Sequence, residues 1–268
     1  MFAQRSWPLL AIFTLLISLV SCYEPVEGCL DPESENYSLS ADENCCCDYP
    51  DRGLKVEYKW DSLTFRFNRK YENVMGDSFQ VTQLRYLAGC FRWMSGGQTW
   101  RVEDSLRGFE VPSDQLVYVK DDWVTIGPGI GDVEAGALRK HGTVDSFSME
   151  LGFGYPDDLR LDVPDGHPLD SGSAVMFDKV NEDWNTLSVT VIHGVNYSDT
   201  TRFFVKNDDL LPIFMKETFE MPLGKDHDLK LTVEMKDWFE NIDWNGREED
   251  VKMQIVSFWA LSHIISPE

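Results

Sequence analysis

The sequence predicts an all-β protein, an antiparallel β-sandwich preceded by a signal peptide and a short cysteine-rich tether. Three observations predict it. Apolar residues recur with a period of two from Leu54 onward, clusters of Gly, Pro, Asn and Asp separate the runs, and helical spacing is scarce. A period of two sends alternate side chains to opposite faces of a strand, one toward a core and one toward water. Many short strands joined by polar turns bury their apolar faces by stacking as two sheets.

The elements follow in chain order. Residues 1–21 have the parts of an export signal: Arg5 as a positive start, an apolar run from Leu9 to Val20 broken by Thr14 and Ser18, then Leu19-Val20-Ser21-Cys22. The run is about twelve residues, short of the roughly twenty that span a bilayer. Leu three residues before the cysteine and Ser directly before it have the form of a bacterial lipobox. The chain is therefore expected to be cut before Cys22, with lipid on Cys22 as its partner contact with a membrane. Several acyl chains on one residue meet the requirement of stable anchoring. No Asp follows the cysteine, and Glu24 and Glu27 make an acidic start. That pattern favours the outer membrane or cell surface, with the periplasmic face left open.

Residues 22–53 are polar, acidic and rich in turn formers, and read as a lipid-anchored tether. Beyond Cys22 the cysteines are Cys29, Cys45, Cys46, Cys47 and Cys90. Their crowding suits an oxidising compartment, but spacing alone leaves the connectivity open. Cys45 to Cys47 lack the two spaced pairs of a structural zinc site. Gly28-Cys29, Asp31-Pro32, Asn36-Tyr37, Ala41-Asp42 and Cys47-Asp48-Tyr49 together resemble a short Cys-bounded module of Bacteroidetes surface proteins. That resemblance implies a disulfide between Cys29 and Cys47.

Residues 54–268 are expected to form the sandwich. Leu54, Val56, Tyr58 and Trp60 alternate with polar residues, and Leu63, Phe65 and Phe67 continue the pattern. Further alternations are Phe147 to Phe153, Leu187 to Val191, and Leu229, Leu231, Val233 and Met235. Val251 to Ser262 reads as a last apolar strand, and Lys236 to Ile242 as a short helical turn. Ser95-Gly96-Gly97, Gly127-Pro128-Gly129, Asp165-Gly166 and Asn245-Gly246 mark turns.

The chain carries 24 basic against 46 acidic residues, a net charge of -22. Such a surface repels phosphate backbones, so nucleic acid is excluded as a partner. Aromatics at 13% supply a real core. No Gly-x-Ser-x-Gly elbow or His-Glu-x-x-His helix is present, and no Lys-Ser or Lys-Thr follows Gly127 to Gly131. Asp121-Asp122 and Asp157-Asp158 are adjacent, so on strands their side chains diverge. Cys90 lies in a strand-like run with no base beside it and reads as a structural thiol. No catalytic residue, and no enzyme, is expected.

The histidines are His141, His167, His193, His227 and His263, none paired at i, i+2 or i, i+4. Any metal site would be assembled across strands. His193 continues the apolar face of Leu187 to Val191, His167 sits in the loop Asp165 to Leu169, and Met176 offers a soft thioether suited to copper.

The order of features resembles the MbnP-like copper-binding family. It runs from Phe65 and Phe67 through Phe79-Gln80-Val81-Thr82-Gln83-Leu84-Arg85-Tyr86-Leu87 to Leu151-Gly152-Phe153-Gly154 and Asp165-Gly166-His167-Pro168-Leu169. Met176-Phe177 follows, then Leu229 to Met235 leading into Asp237-Trp238-Phe239 and Ile242-Asp243. The resemblance implies an extracytoplasmic copper-binding sandwich, with His167, Met176 and His193 as the metal set and a haem protein as partner. The aromatic residues that follow the family's methionine are replaced here by Phe177-Asp178-Lys179-Val180, so tryptophan oxidation is not expected. The other function consistent with the sequence is a surface lipoprotein that binds glycan or protein through exposed aromatics and has lost the metal.

Overall fold

The computed structural model describes residues 24–152, 159–172, 176–178, 183–194, 197–206 and 211–267. The signal peptide and the lipidation residue Cys22 lie outside these residues. The longer strands are β1 (Asp51–Trp60), β2 (Ser78–Ser95), β3 (Ser105–Glu110), β4 (Leu116–Lys120), β5 (Val124–Ile126), β6 (Val133–Ala137) and β7 (Ser146–Leu151). They continue as β8 (Leu159–Asp162), β9 (Asp183–His193), β10 (Asp199–Lys206), β11 (Leu211–Met215), β12 (His227–Glu234) and β13 (His263–Pro267). The helices are α1 (Met235–Phe239) and α2 (Glu248–Trp259).

The fold is all-β. A nine-stranded sheet is organised around the long β2, which pairs antiparallel with β9 through its first half and with β7 through its second. β10 extends this sheet beyond β9, and β11 extends it beyond β7. A five-stranded sheet has the order β6-β1-β12-β13, with the short strand Leu63–Thr64 paired to the end of β1. Its β1–β12 pair is parallel over Arg52 to Lys59 and His227 to Glu234, so two strands far apart in the chain lie side by side. That pair departs from a wholly antiparallel sandwich. A three-stranded sheet, β8-β3-β4, forms a separate lobe.

The core lies between the two large sheets. Phe79, Val81, Leu84, Tyr86, Phe147 and Met149 meet Leu54, Leu229, Leu231 and Val233, all almost fully buried. Each such apolar side chain contributes about 2 kcal/mol of transfer free energy. The alternation read from the sequence is therefore the inward face of both sheets.

Two expectations are corrected. Val251 to Ser262 is not a strand, because α2 occupies Glu248–Trp259 and a 3-10 turn follows over Ala260–Ser262. Val251, Ile255 and Trp259, spaced by four, face the core, while Met253 stays exposed. Glu248, Glu249 and Asp250 in the first turn complement the helix dipole. The tether expected over 22–53 also gives way to strand before Gly53. β1 begins at Asp51, and residues 24–50 fold onto the body.

That N-terminal module contains the disulfide Cys29–Cys47, which spans 18 residues, and a parallel pairing of Glu27–Gly28 with Glu43–Asn44. Closing a loop of this size stabilises by about 3 kcal/mol. Arg139 clamps it to the sandwich, reaching Asp31 at 2.6 Å and Glu33 at 3.1 Å, while His141 meets Glu33 at 2.7 Å. The backbone N–H of Glu33, followed by the Tyr49 hydroxyl and the Arg139 charge, holds the Asp31 carboxyl below its ordinary pKa.

Candidate functional site

The outer face of the nine-stranded sheet positions the candidate sites. Arg85 and Leu87 both point away from the main core. Leu87 is sealed by a second cluster of Leu106, Trp123, Leu169 and Met176, with Val119 and Leu161 packed against it. This cluster joins the β8-β3-β4 lobe to the sheet, and clefts open around it and at the sheet's far end.

His167 stands in an acidic cleft of about 590 Å³, whose other lining residues include Asp104, Asp121, Asp132 and Glu134. Its Nδ1 accepts the Leu169 backbone N–H at 3.1 Å, which leaves the proton on Nε2, and Nε2 donates to Asp121 at 2.8 Å. Both ring nitrogens are thus committed to holding the loop against Asp121. Asp104 accepts the Ala137 N–H at 2.6 Å, fixing the opposite wall.

Met176 is 2% exposed, its thioether enclosed by the apolar cluster around Leu87. His193 lies at the far end of β9 from Trp184, which packs against that same cluster. Nine residues along a strand correspond to about 30 Å. His193 places Nε2 2.9 Å from the Thr201 hydroxyl and its ring 5.8 Å from that of Trp244. Next to it, a small cleft is lined by Lys70, Asp77, Gly194, Tyr197 and Asn245.

The expected metal set is therefore not brought together. A copper ion needs its donors near 2 Å, and His167, Met176 and His193 do not fit one ion in this arrangement. Among the described residues no group of three or more His, Cys, Asp and Glu side chains is placed to hold a metal. Cys45 and Cys46 are free thiols. Hydrogen bonding from Cys46, then burial, pushes the Cys45 thiol up to about 11.

The third cleft, about 510 Å³, opens where the lobe no longer covers the outer face. Phe67, Asn68, Thr82, Gln83, Arg85, Pro128, Gly129, Ser188 and Arg202 line it together with Leu84. In register, Arg85 on β2 lies opposite Ser188 on β9, and Arg202 on β10 opposite Thr190.

Two buried polar constellations complete the electrostatics. Asp122 has a fully buried side chain, pairs with Arg101 at 2.9 Å, and accepts the N–H groups of Cys90 and Phe91. Burial raises its pKa, and the same cause pushes the Cys90 thiol up to about 12. On the inner face, His263 donates from Nδ1 to the Trp259 carbonyl at 2.7 Å. Its Nε2 accepts from the Tyr86 hydroxyl at 2.8 Å. Burial lowers the His263 pKa to about 4.

Sequence reasoning singled out neither Arg85 nor Arg202, nor the Asp121 partner of His167. The available signal was arginine at outward positions of otherwise apolar strands, next to the Gly127-Pro128-Gly129 loop.

No family model matches the chain, and no curated protein matches it. Among solved structures, MbnP from Methylosinus trichosporium is similar at 11% identity, covering 71% of this chain and 78% of that one, with a TM-score of 0.44.

Proposed function

We propose that the chain is a lipid-anchored extracytoplasmic binding protein, at the outer membrane or cell surface, with no catalysis of its own. The observation that carries this reading is the disulfide module clamped to the sandwich. Cys29–Cys47 suits an oxidising compartment, and Arg139 ties the module to the body a few residues after Cys22. A lipid on Cys22 then holds a firmly oriented body near the membrane. Among the described residues no helix is long and apolar enough to cross a membrane. The raised pKa of Cys90 and the core position of His263 both argue against their use as nucleophile or base.

Acyl labelling with membrane fractionation tests the anchor. The wild type is expected to carry lipid and sediment with membranes, and Cys22→Ala to lose both. An unlabelled wild type that stays on the membrane sinks the reading. Copper is not part of the proposal. Metal analysis of the purified protein is expected to find copper well below one equivalent, the same in a His167→Ala, His193→Ala double variant. A full equivalent that disappears in that variant would restore the metal.

A further inference from the structure

We propose that the cleft between Arg85 and Arg202 is a binding site for a small molecule carrying an oxyanion, a carboxylate or a phosphate or sulfate ester. This gives a ligand class to the binding role above. It rests on that role but not on the anchor, which acylation tests separately.

Charge is the first argument. In a chain of net charge -22, carboxylates are expected along most clefts. Yet no carboxylate lines this cleft, whereas Asp104, Asp121, Asp132 and Glu134 line the His167 cleft and Asp77 the one beside His193. Among the described residues neither Arg85 nor Arg202 has a carboxylate partner. Arg85 donates only to the Pro128 carbonyl at 3.2 Å, and Arg202 to the Ser188 hydroxyl at 3.3 Å. The charged lining of this cleft is therefore Arg85 and Arg202 alone, on a molecule that is otherwise strongly acidic.

Construction is the second argument. Arg85 is held from behind. A Cβ on Gly127 would come within 2.5 Å of its Nη1 and of the Leu84 carbonyl, so only glycine lets this loop close over the guanidinium. The Arg202 guanidinium rests 4.5 Å above the Phe204 ring. Arg85 and Arg202 thus project from β2 and β10 on either side of β9, with Ser188 between them. Asn68, whose N–H is anchored to the Val81 carbonyl at 3.0 Å, closes one edge.

Donor geometry is the third argument. Two guanidinium groups present planar, two-pronged donors that match a carboxylate or phosphate. The volume is that of a small-ligand site.

The experiment is isothermal titration of the full chain in detergent with glucuronate, inorganic phosphate and glucose. We expect at least one of the two anions to bind with Kd at or below about 1 mM, glucose not to bind, and added salt to weaken binding. Tighter glucuronate identifies the carboxylate source, and tighter phosphate the ester source. Arg202→Gln and Arg85→Gln should each weaken binding roughly tenfold or more. Gln83→Glu, an exposed change that adds a carboxylate to the cleft, should weaken it similarly while thermal unfolding stays at the wild-type midpoint. The proposal is overturned if neither anion binds at about 10 mM, if glucose binds as well as glucuronate, or if these substitutions leave binding unchanged in folded protein.

Discussion

Arg85 and Leu87 stand two residues apart on the same outward face of β2, and their surroundings differ completely. Leu87 is fully buried beneath Leu106, Trp123, Leu169 and Met176. Arg85 opens into a cleft with Ser188 and Arg202. The sheet is continuous through both positions, so the difference comes from side-chain chemistry. Leucine gains by being covered, and the β8-β3-β4 lobe settles over it. Burying a guanidinium requires partners for its donors, and Arg85 has only the Pro128 carbonyl, so the covering layer stops short of it. One sheet face is thereby divided into a covered, structural half and a half left open as a cleft.

The largest expected effect tests what fastens the structural half. Asp122 ties the segment bearing Trp123 to β2 through Arg101 and the N–H groups of Cys90 and Phe91. Asp122→Ala should destabilise by about 4 kcal/mol, since it orphans a charge and two backbone donors. Denaturant unfolding measures this, and a loss under about 1 kcal/mol would mean the lobe is held by packing alone.

The comparison itself is sharpened by paired substitutions. Leu87→Ala should cost about 3 kcal/mol through lost contacts and a cavity. Arg85→Gln should cost less than about 1 kcal/mol, because the arginine is partly solvated and without an ion pair. Equal costs at the two positions would erase the division between the halves.

A pH-dependent effect, smaller than that of Asp122 or Leu87, comes from the opposite face of the same strand, where Tyr86 meets His263. The His263 pKa falls from 6.5 to about 4 in the folded chain. The unfolded chain therefore binds the proton more readily, so this contribution is complete above pH 6.5 and is lost as pH falls toward 4. By about pH 5 the loss should reach roughly 2 kcal/mol. Unfolding wild type and His263→Gln across this range isolates it, because the variant lacks the titrating ring. Parallel pH profiles for the two would show that His263 does not titrate as described.

Much of the fold is legible in the period of the apolar residues. The alternation at Leu229, Leu231 and Val233 is the buried face of β12, and Phe147, Met149 and Leu151 are that of β7. Val251 to Ser262 misleads because that run satisfies two periods at once. Val251, Met253 and Ile255 suit a strand, while Val251, Ile255 and Trp259 suit a helix. Only packing against the core chose the second and left Met253 in solvent. The resemblance implied the Cys29–Cys47 pairing, and the structure contains it. The metal set depends on distances between remote residues, which a sequence does not encode. His193 and Met176 belong to opposite ends of the same sheet region.

What the sequence determined by itself is therefore local: the period of the strands, the acidity of the chain, and the turns. These depend on near neighbours and on composition. Tertiary structure alone decided which charges meet. Arg85 and Arg202 are more than a hundred residues apart and share a cleft only because β9 lies between β2 and β10. His167 turns from a candidate ligand into a loop fastener because Asp121 arrives from another strand's end. Long-range strand pairing sets these meetings, and no local pattern records it.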